Sequence, residues 1–210
     1  MSIHARNGCR DLLLDAFGWF TMNGRPLRGL RMVEFGNQRL KFDPDSGARR
    51  LQAAKPFMEF LGFQHTSIDT NGADGAVPYD LGKPLDGAAG LETRADLVTD
   101  FGTLEHVDSG PDCQRNAFRN AHNLCAPDGL MVHALPGVGT CRRHGSWKYS
   151  VDWFEQLAAR NGYHIVKLEA WDKSNGWPER MNPGEQVYIL AILRQRTRPF
   201  SDDWTDPVRE

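Results

Sequence analysis

The sequence predicts an α/β fold, in which helices cover both faces of a mixed β-sheet. Residues 31–38 and 66–72 each contain a short apolar run that ends in an acidic residue and a glycine-containing turn, and a helix-like segment at residues 48–61 separates them. Strand, helix and strand in this order form a crossover unit with parallel strands. Further apolar runs continue to residue 194, and 40% hydrophobic residues suffice for a sheet covered on both sides.

Three more helices are predicted around this unit. The amphipathic segment 11–20 precedes the first strand and predicts a helix laid over the sheet or over a ligand cleft. Pro111 favours the start of a second helix, because proline fits the first helical position. A third is expected at residues 151–160, with Ser150 as its N-cap and Gly162 as its left-handed end.

The remaining apolar segments predict four strands and one extended segment. They lie from Ala95 onward, at 130–136, at 164–170 and at 186–193, after an extended segment that ends near Asp80. Residues 127–129 should end the second helix, and no helix separates the last two strands, so these form an antiparallel hairpin at one sheet edge. We expect one domain at residues 30–194, a helical extension at 1–29, and a polar tail or edge wrap at 195–210.

Composition limits the function classes. With 25 Lys and Arg against 27 Asp and Glu, the net charge of −2 gives no general attraction to nucleic acid or to an anionic membrane. The sequence has no long apolar run and no CxxC pair among its four cysteines, so we expect a cytoplasmic protein with reduced thiols. No HxxxH, HxH or CxxC spacing predicts a metal site, and no GxSxG motif predicts a nucleophile.

The acid after the second strand is the most informative polar residue. Parallel strands bring their carboxyl ends to one sheet edge, where nucleotide-like ligands bind in open α/β folds. The two carboxylate oxygens of Asp69 can accept hydrogen bonds from both hydroxyls of a ribose, which predicts an adenosine site. The alternative is that Asp69 only stabilises a turn or caps a helix.

The order of these motifs resembles that of class I S-adenosylmethionine-dependent methyltransferases, particularly those with a methyltransferase-11-like domain. The segments that carry the resemblance are 33–36, 67–69, 79–81, 96–107 and 124–132, within residues 30–194. Each is weak alone, whereas their order and spacing together are moderately specific. The resemblance implies a Rossmann-like three-layer sandwich with a seven-stranded mixed sheet, and S-adenosylmethionine as cofactor.

The resemblance also implies which residues bind the cofactor. The first loop would hold its methionine end, the second-strand acid its ribose, the third-strand segment its adenine, and the turn after the fourth strand would face both cofactor and acceptor. The residues in these positions are Glu34, Gly36, Asn37, Gln38, Asp69, Thr70, Asp80, Leu81, Phe101 and Gly102.

The acceptor side is expected at two further segments. His106 could act as a general base for a hydroxyl acceptor, and Glu105 would line the site; the alternative for both is a packing or capping role in the turn. His144, Trp147 and Tyr149 form a loop that could overhang the cleft, because aromatic rings offer flat contact area; the alternative is a loop packed on the following helix.

The sequence thus predicts methyl transfer to a small-molecule or sugar-like acceptor, with oxygen or nitrogen as the accepting atom. The first loop departs from the resemblance, because the methyltransferases have glycines at alternate positions where this chain has Gly36-Asn37-Gln38. A non-catalytic binding protein with this fold is therefore one alternative. A nicotinamide-dependent oxidoreductase is another, although no GxGxxG turn is present. The sequence does not indicate an oligomeric state.

Overall fold

The computed structural model describes residues 2–3, 8–40, 52–85, 91, 94–140, 144–172, 187–195 and 199–210. In chain order its elements are β1 (Ser2–Ile3), α1 (Cys9–Met22), β2 (Arg31–Phe35), β3 (Arg39–Leu40), β4 (Gln52–Ala53), α2 (Ala54–Phe60), β5 (Gln64–Ile68), β6 (Ala95–Phe101), α3 (Cys113–Leu124), β7 (Cys125–Pro136), β8 (Trp147–Lys148), α4 (Val151–Asn161), β9 (His164–Asp172), β10 (Val187–Arg194) and β11 (Val208–Arg209).

The central sheet has the strand order β5-β2-β6-β7-β10-β9. The first four strands of that order are parallel, whereas β10 is antiparallel to both β7 and β9. This confirms the predicted mixed sheet and its antiparallel edge hairpin. The sheet has six strands in the described part of the chain rather than seven, because the segment before Asp80 contributes only an isolated bridge between Val77 and Ile68.

Apolar side chains on the two faces of the sheet form two separate cores. Adjacent residues of a strand point to opposite faces, so Met32 packs with α1 and α2 whereas Val33 packs with α3 and α4. Leu97 and Val98 divide in the same way on β6. Helices therefore cover both faces, and the arrangement is the predicted three-layer sandwich.

Local sequence signals correctly predict both ends of α4. The side chain of Ser150 accepts a hydrogen bond from the backbone N–H of Trp153 at 3.1 Å, and Gly162 ends the helix with φ of 63°. The start of α3 differs slightly from the prediction. Pro111 lies in the preceding turn, and the helix begins at Cys113.

Two predicted boundaries are wrong because strand pairing overrides local signals. Gln52 and Ala53 pair with β3, so the helix predicted from residue 48 begins only at Ala54; the stretch 48–51 lies outside the described residues. Residues 127–129 do not separate α3 from the next strand. They form an irregular stretch inside β7, where the register with β6 shifts and Asp128 has φ of 61°.

The C-terminal segment packs against the body of the protein. Trp204 is buried, the indole N–H of Trp153 donates to the carbonyl oxygen of Thr205, and β11 pairs with β8. Residues 199–210 therefore pack over α3, α4 and β8, and in the described part of the chain they pair with neither edge strand of the central sheet. Among the described helices, none is long and apolar enough to span a bilayer.

Candidate active site

A cavity of about 490 Å³ lies at the carboxyl ends of β2, β5 and β6. It is lined by the loops that follow these three strands: Gly36, Asn37, Gln38, Ile68, Asp69, Thr70, Tyr79, Asp80, Leu81, Gly102, Thr103, His106, Val107, Asp108 and Ser109. Eight of the ten residues expected to bind the cofactor are in this set, and only Glu34 and Phe101 are not. The strand order brings them together because parallel neighbours end at the same edge.

Asp69 lies where β5 enters the cavity. One carboxylate oxygen accepts the backbone N–H of Asn37 at 2.7 Å, and the other accepts the backbone N–H of Asn71 at 2.9 Å. A carboxylate has about four acceptor positions, so each oxygen keeps one for a ligand. The Asn71 contact is the turn role foreseen for Asp69, and it is compatible with a ligand role.

Glu34 holds the loop after β2 from its buried side. This carboxylate is fully buried, and its Oε1 accepts the backbone N–H of Gln38 at 3.0 Å. Its Oε2 lies 3.6 Å from Nε2 of His65. Glu34 therefore shapes the loop rather than lining the cavity.

Gly36 sits at the most crowded point of that loop. Its φ is +80°, and a Cβ there would lie 2.2 Å from Oγ1 of Thr103. Thr103 donates to the carbonyl oxygen of Phe35 at 2.8 Å, and Gln38 donates to Thr103 at 3.0 Å. The side chains of Thr103 and Gln38 thus occupy the space on the Cβ side of Gly36.

Asp80 and Leu81 line the cavity from the loop that follows β5. Asp80 Oδ1 accepts the backbone N–H of Gly82 at 2.9 Å and the hydroxyl of Ser109 at 3.1 Å. Leu81 is buried and contributes apolar surface, and Thr70 also lines the cavity. A flat heterocycle would find here the apolar and polar contacts that such sites combine.

The turn after β6 is fixed by Asp100. Its Oδ1 accepts the backbone N–H groups of Thr103 and Leu104 at 3.1 and 3.2 Å, and its Oδ2 lies 3.2 Å from Nδ1 of His133. Gly102 therefore faces the cavity, whereas Phe101 is fully buried in the core below it. His133 is buried within β7 and is a core histidine paired with Asp100.

Glu105 and His106 occupy a short 3-10 turn, and His144 approaches them from the segment before β8. Nε2 of His144 lies 3.2 Å from Oε1 of Glu105, and Nε2 of His106 lies 3.6 Å from the same oxygen. The two imidazole rings meet edge to face at 4.9 Å. Partial burial lowers the pKa of His106 below its ordinary value of 6.5, and the Glu105 carboxylate opposes that shift.

Trp147 and Tyr149 do not line the cavity. Both are buried in the core, and the hydroxyl of Tyr149 donates to Oε1 of Gln114 at 2.7 Å. Gln114 in turn donates to the carbonyl oxygens of Leu104 and Val107 at 2.8 and 2.9 Å. Tyr149 therefore supports, through Gln114, the turn that carries His106, and the burial of both aromatic residues favours the packing alternative.

Several lining residues were not anticipated individually. Tyr79, Thr103 and Ser109 lie within or next to segments 79–81 and 96–107, which carry the family resemblance. The resemblance located these segments, but only the turn geometry determines which of their side chains face the cavity.

No protein-family profile matches the sequence, and no curated protein matches it. Solved structures do match the fold. One is the 1,6-didemethyltoxoflavin-N1-methyltransferase of Burkholderia thailandensis with bound 1,6-didemethyltoxoflavin and S-adenosylhomocysteine; it is 15% identical, with 92% of this chain and 91% of that chain covered and a TM-score of 0.53. The N-methyltransferase NodS of Bradyrhizobium japonicum with S-adenosylhomocysteine is 17% identical, with coverages of 89% and 84% and a TM-score of 0.57.

TehB of Haemophilus influenzae also matches, at 11% identity, with coverages of 91% and 67% and a TM-score of 0.59. Identities this low establish the fold and nothing further. The chain has the Rossmann-like fold of class I S-adenosylmethionine-dependent methyltransferases, as the order of its motifs predicted.

Proposed function

We propose that this protein transfers a methyl group from S-adenosylmethionine to a small-molecule or sugar-like acceptor. The observation that carries the proposal is the cavity at the carboxyl edge of the sheet, with Asp69 at the tip of the second strand and the Gly36 loop at the tip of the first. The bound S-adenosylhomocysteine in two proteins of the same fold supports the choice of cofactor.

The cofactor would lie across the three strand ends. The ribose hydroxyls would donate to the remaining acceptor positions of Asp69, and the adenine would lie against Asp80 and Leu81. The methionine end would reach the loop of Asn37 and Gln38, whose backbone is held by Glu34 and Asp69.

Methyl transfer is a direct displacement, so the protein must mainly align donor and acceptor and exclude water. The bond from sulfur to the methyl carbon breaks as the acceptor atom bonds to that carbon. His106 lines the same cavity as Gly102, and the acceptor would bind on the side of His106. Its role as a general base stays a prediction, and Glu105 with His144 would complete this acceptor side.

The acceptor class follows from size and charge. The cavity is of small-molecule size, and the net charge of −2 does not favour a polyanion. The neighbour that holds 1,6-didemethyltoxoflavin is an example of this fold acting on a small heterocycle.

A non-catalytic binding protein is the second candidate, and one observation favours it. Thr103 and Gln38 fill the space beside Gly36, where the methionine end of the cofactor would approach the backbone. If these side chains do not move aside, adenosine could still bind while S-adenosylmethionine could not.

Calorimetric titration of the protein with S-adenosylhomocysteine, adenosine and the nicotinamide dinucleotides separates these functions. We expect S-adenosylhomocysteine to bind more tightly than adenosine, and the dinucleotides not to bind. Binding of adenosine alone would favour the non-catalytic alternative, and preferential binding of a dinucleotide would favour an oxidoreductase.

A further inference from the structure

We propose that Glu105, His106 and His144 form a binding site for a divalent transition-metal ion, with zinc as the best-matched ion. One ligand atom from each side chain lies within 4.8 Å of those of the other two. Neutral imidazole nitrogens combined with a carboxylate suit zinc and related transition metals, whereas magnesium and calcium prefer oxygen ligands.

Two of the three distances between ligand atoms are close to those around a single ion. Zinc bonds of about 2.0–2.2 Å in a tetrahedral arrangement place neighbouring ligand atoms roughly 3.3 Å apart. The Glu105 oxygen lies 3.2 Å from Nε2 of His144 and 3.6 Å from Nε2 of His106. The ligand atoms of the two histidines lie within 4.8 Å of each other, so closing the site around an ion requires side-chain rotations that shorten this separation.

The carboxylate of Glu105 supplies the independent observation. Glu105 is fully buried, and within the described part of the chain neither of its carboxylate oxygens accepts a hydrogen bond. Nε2 of His144 also lacks a hydrogen-bond partner among the described residues. A buried carboxylate without such partners is costly, and a cation bound to it removes that cost.

The backbone around His144 is built to hold it against Glu105. A Cβ on Gly145 would lie 2.5 Å from Cγ of Glu105, so only glycine lets the segment pass this closely. The N–H of Ser146 donates to the carbonyl oxygen of Glu105 at 2.8 Å. The buried ammonium of Lys148 donates to the carbonyl oxygens of His144 and Gly145 at 2.7 and 3.1 Å.

The charge of Lys148 opposes a nearby cation, and the Glu105 carboxylate offsets it. Zinc sites made of three neutral histidines show that a net negative ligand set is not required. Sequence spacing did not reveal these ligands, because His144 is distant from His106 in the chain and only the fold brings them together.

The ion's role, unlike its binding, rests on the proposed function. Three protein ligands leave a position for an exogenous oxygen, and His106 already lines the cavity. A hydroxyl acceptor at that position would lose its proton to solvent more easily. Its oxygen would then bond to the methyl carbon, while the electron pair of the broken carbon–sulfur bond stays on sulfur. An imidazole bound to the ion cannot take that proton, so this assignment replaces the base role of His106.

Metal titration of the full chain, with any affinity tag removed and without nucleotide, tests the site. After chelator treatment and equilibrium dialysis, we expect one zinc ion per chain and no magnesium. Loss of an outer hydrogen-bond partner of a metal ligand costs up to about 100-fold in metal affinity. His144→Ala and Glu105→Gln each remove a ligand itself, so each should weaken zinc binding by at least about 100-fold. Cobalt should give the visible absorption of a low-coordinate site in the wild type only.

The matched controls are His164→Ala and Glu155→Gln, which replace two exposed residues outside the cluster, and both variants should bind zinc like the wild type. Circular dichroism checks that each variant is folded, and the partly exposed His144 makes His144→Ala informative even if Glu105→Gln unfolds. Wild-type protein without stoichiometric zinc, or undiminished binding in folded His144→Ala, would overturn the assignment. Neither result bears on binding of S-adenosylhomocysteine, which is measured separately.

Discussion

The backbone N–H of Asn37 donates to the carboxylate of Asp69 at 2.7 Å and so ties the first-strand loop to the tip of the second strand. The residue expected to hold the ribose therefore also positions the loop expected to hold the methionine end. Because a charged acceptor strengthens this hydrogen bond, a change at Asp69 should be felt in both halves of the cofactor site.

The crowded surroundings of Gly36 predict that replacing this glycine causes an unusually large loss of folding stability. Gly36→Ala places a Cβ against Thr103 and forces alanine into the left-handed backbone conformation that Gly36 adopts. Gly24→Ala is the matched control, because Gly24 has φ of +71° and no neighbouring atom within 4 Å. We expect about 1–2 kcal/mol of lost stability from backbone strain alone at Gly24, and a larger loss at Gly36. Urea denaturation measures both; equal losses would mean that Thr103 moves aside freely.

Tyr149→Phe should lower stability without weakening cofactor binding. The variant removes the buried hydrogen bond to Gln114, which costs about 1–3 kcal/mol when a partner is left unsatisfied. Tyr79→Phe is a comparison, since it removes a more exposed bond to the carbonyl oxygen of Pro84 and should cost little stability. Denaturation and calorimetry test this, and a selective loss of acceptor turnover in Tyr149→Phe would restore a substrate role for this tyrosine.

The same tyrosine predicts how stability changes in alkali. Burial, with the negative charges of Asp100 and Glu105, raises the pKa of Tyr149 well above its ordinary value of 10. Above pH 10 the unfolded chain loses this proton while the folded protein keeps it, so stability falls as the pH rises. The slope from one such group is about 1.4 kcal/mol per pH unit.

Tyr149→Phe should therefore lose less stability than the wild type between pH 10 and the onset of alkaline unfolding. The free energy of unfolding of both proteins, measured across this range, gives the comparison. Parallel curves would show that the hydroxyl of Tyr149 reaches solvent or ionises in the folded state.

The sequence predicted those features of the fold that depend on local signals. Ser150 and Gly162 set the ends of α4 through hydrogen bonding and backbone conformation within a few residues, and both were identified correctly. Residues 127–129 carry an equally strong turn signal, yet pairing with β6 turns them into an irregularity within a strand. Local chemistry cannot anticipate a partner that lies elsewhere in the chain.

The candidate site, like the fold, could be predicted from the sequence only in part. The sequence could predict that residues at strand tips, such as Gly36 and Asp69, line one cavity, because a parallel sheet brings its strand ends together. The orientation of the Trp147 and Tyr149 side chains could not be predicted, since an aromatic side chain in a loop fits either a cleft or a core. The meeting of His144 with Glu105 also depends on Gly145, whose significance appears only when the two segments are in contact.

Binding of S-adenosylhomocysteine to the wild type, Asp69→Asn and Asp203→Asn tests the central claim most directly. Asp203 is an exposed surface residue paired with Arg160, so its substitution is the matched control. We expect the wild type and Asp203→Asn to bind equally and Asp69→Asn to lose about 1.5–3 kcal/mol, or roughly 10- to 150-fold in affinity. Wild-type protein that does not bind S-adenosylhomocysteine, or a folded Asp69→Asn variant that binds it as tightly as the wild type, would contradict the account.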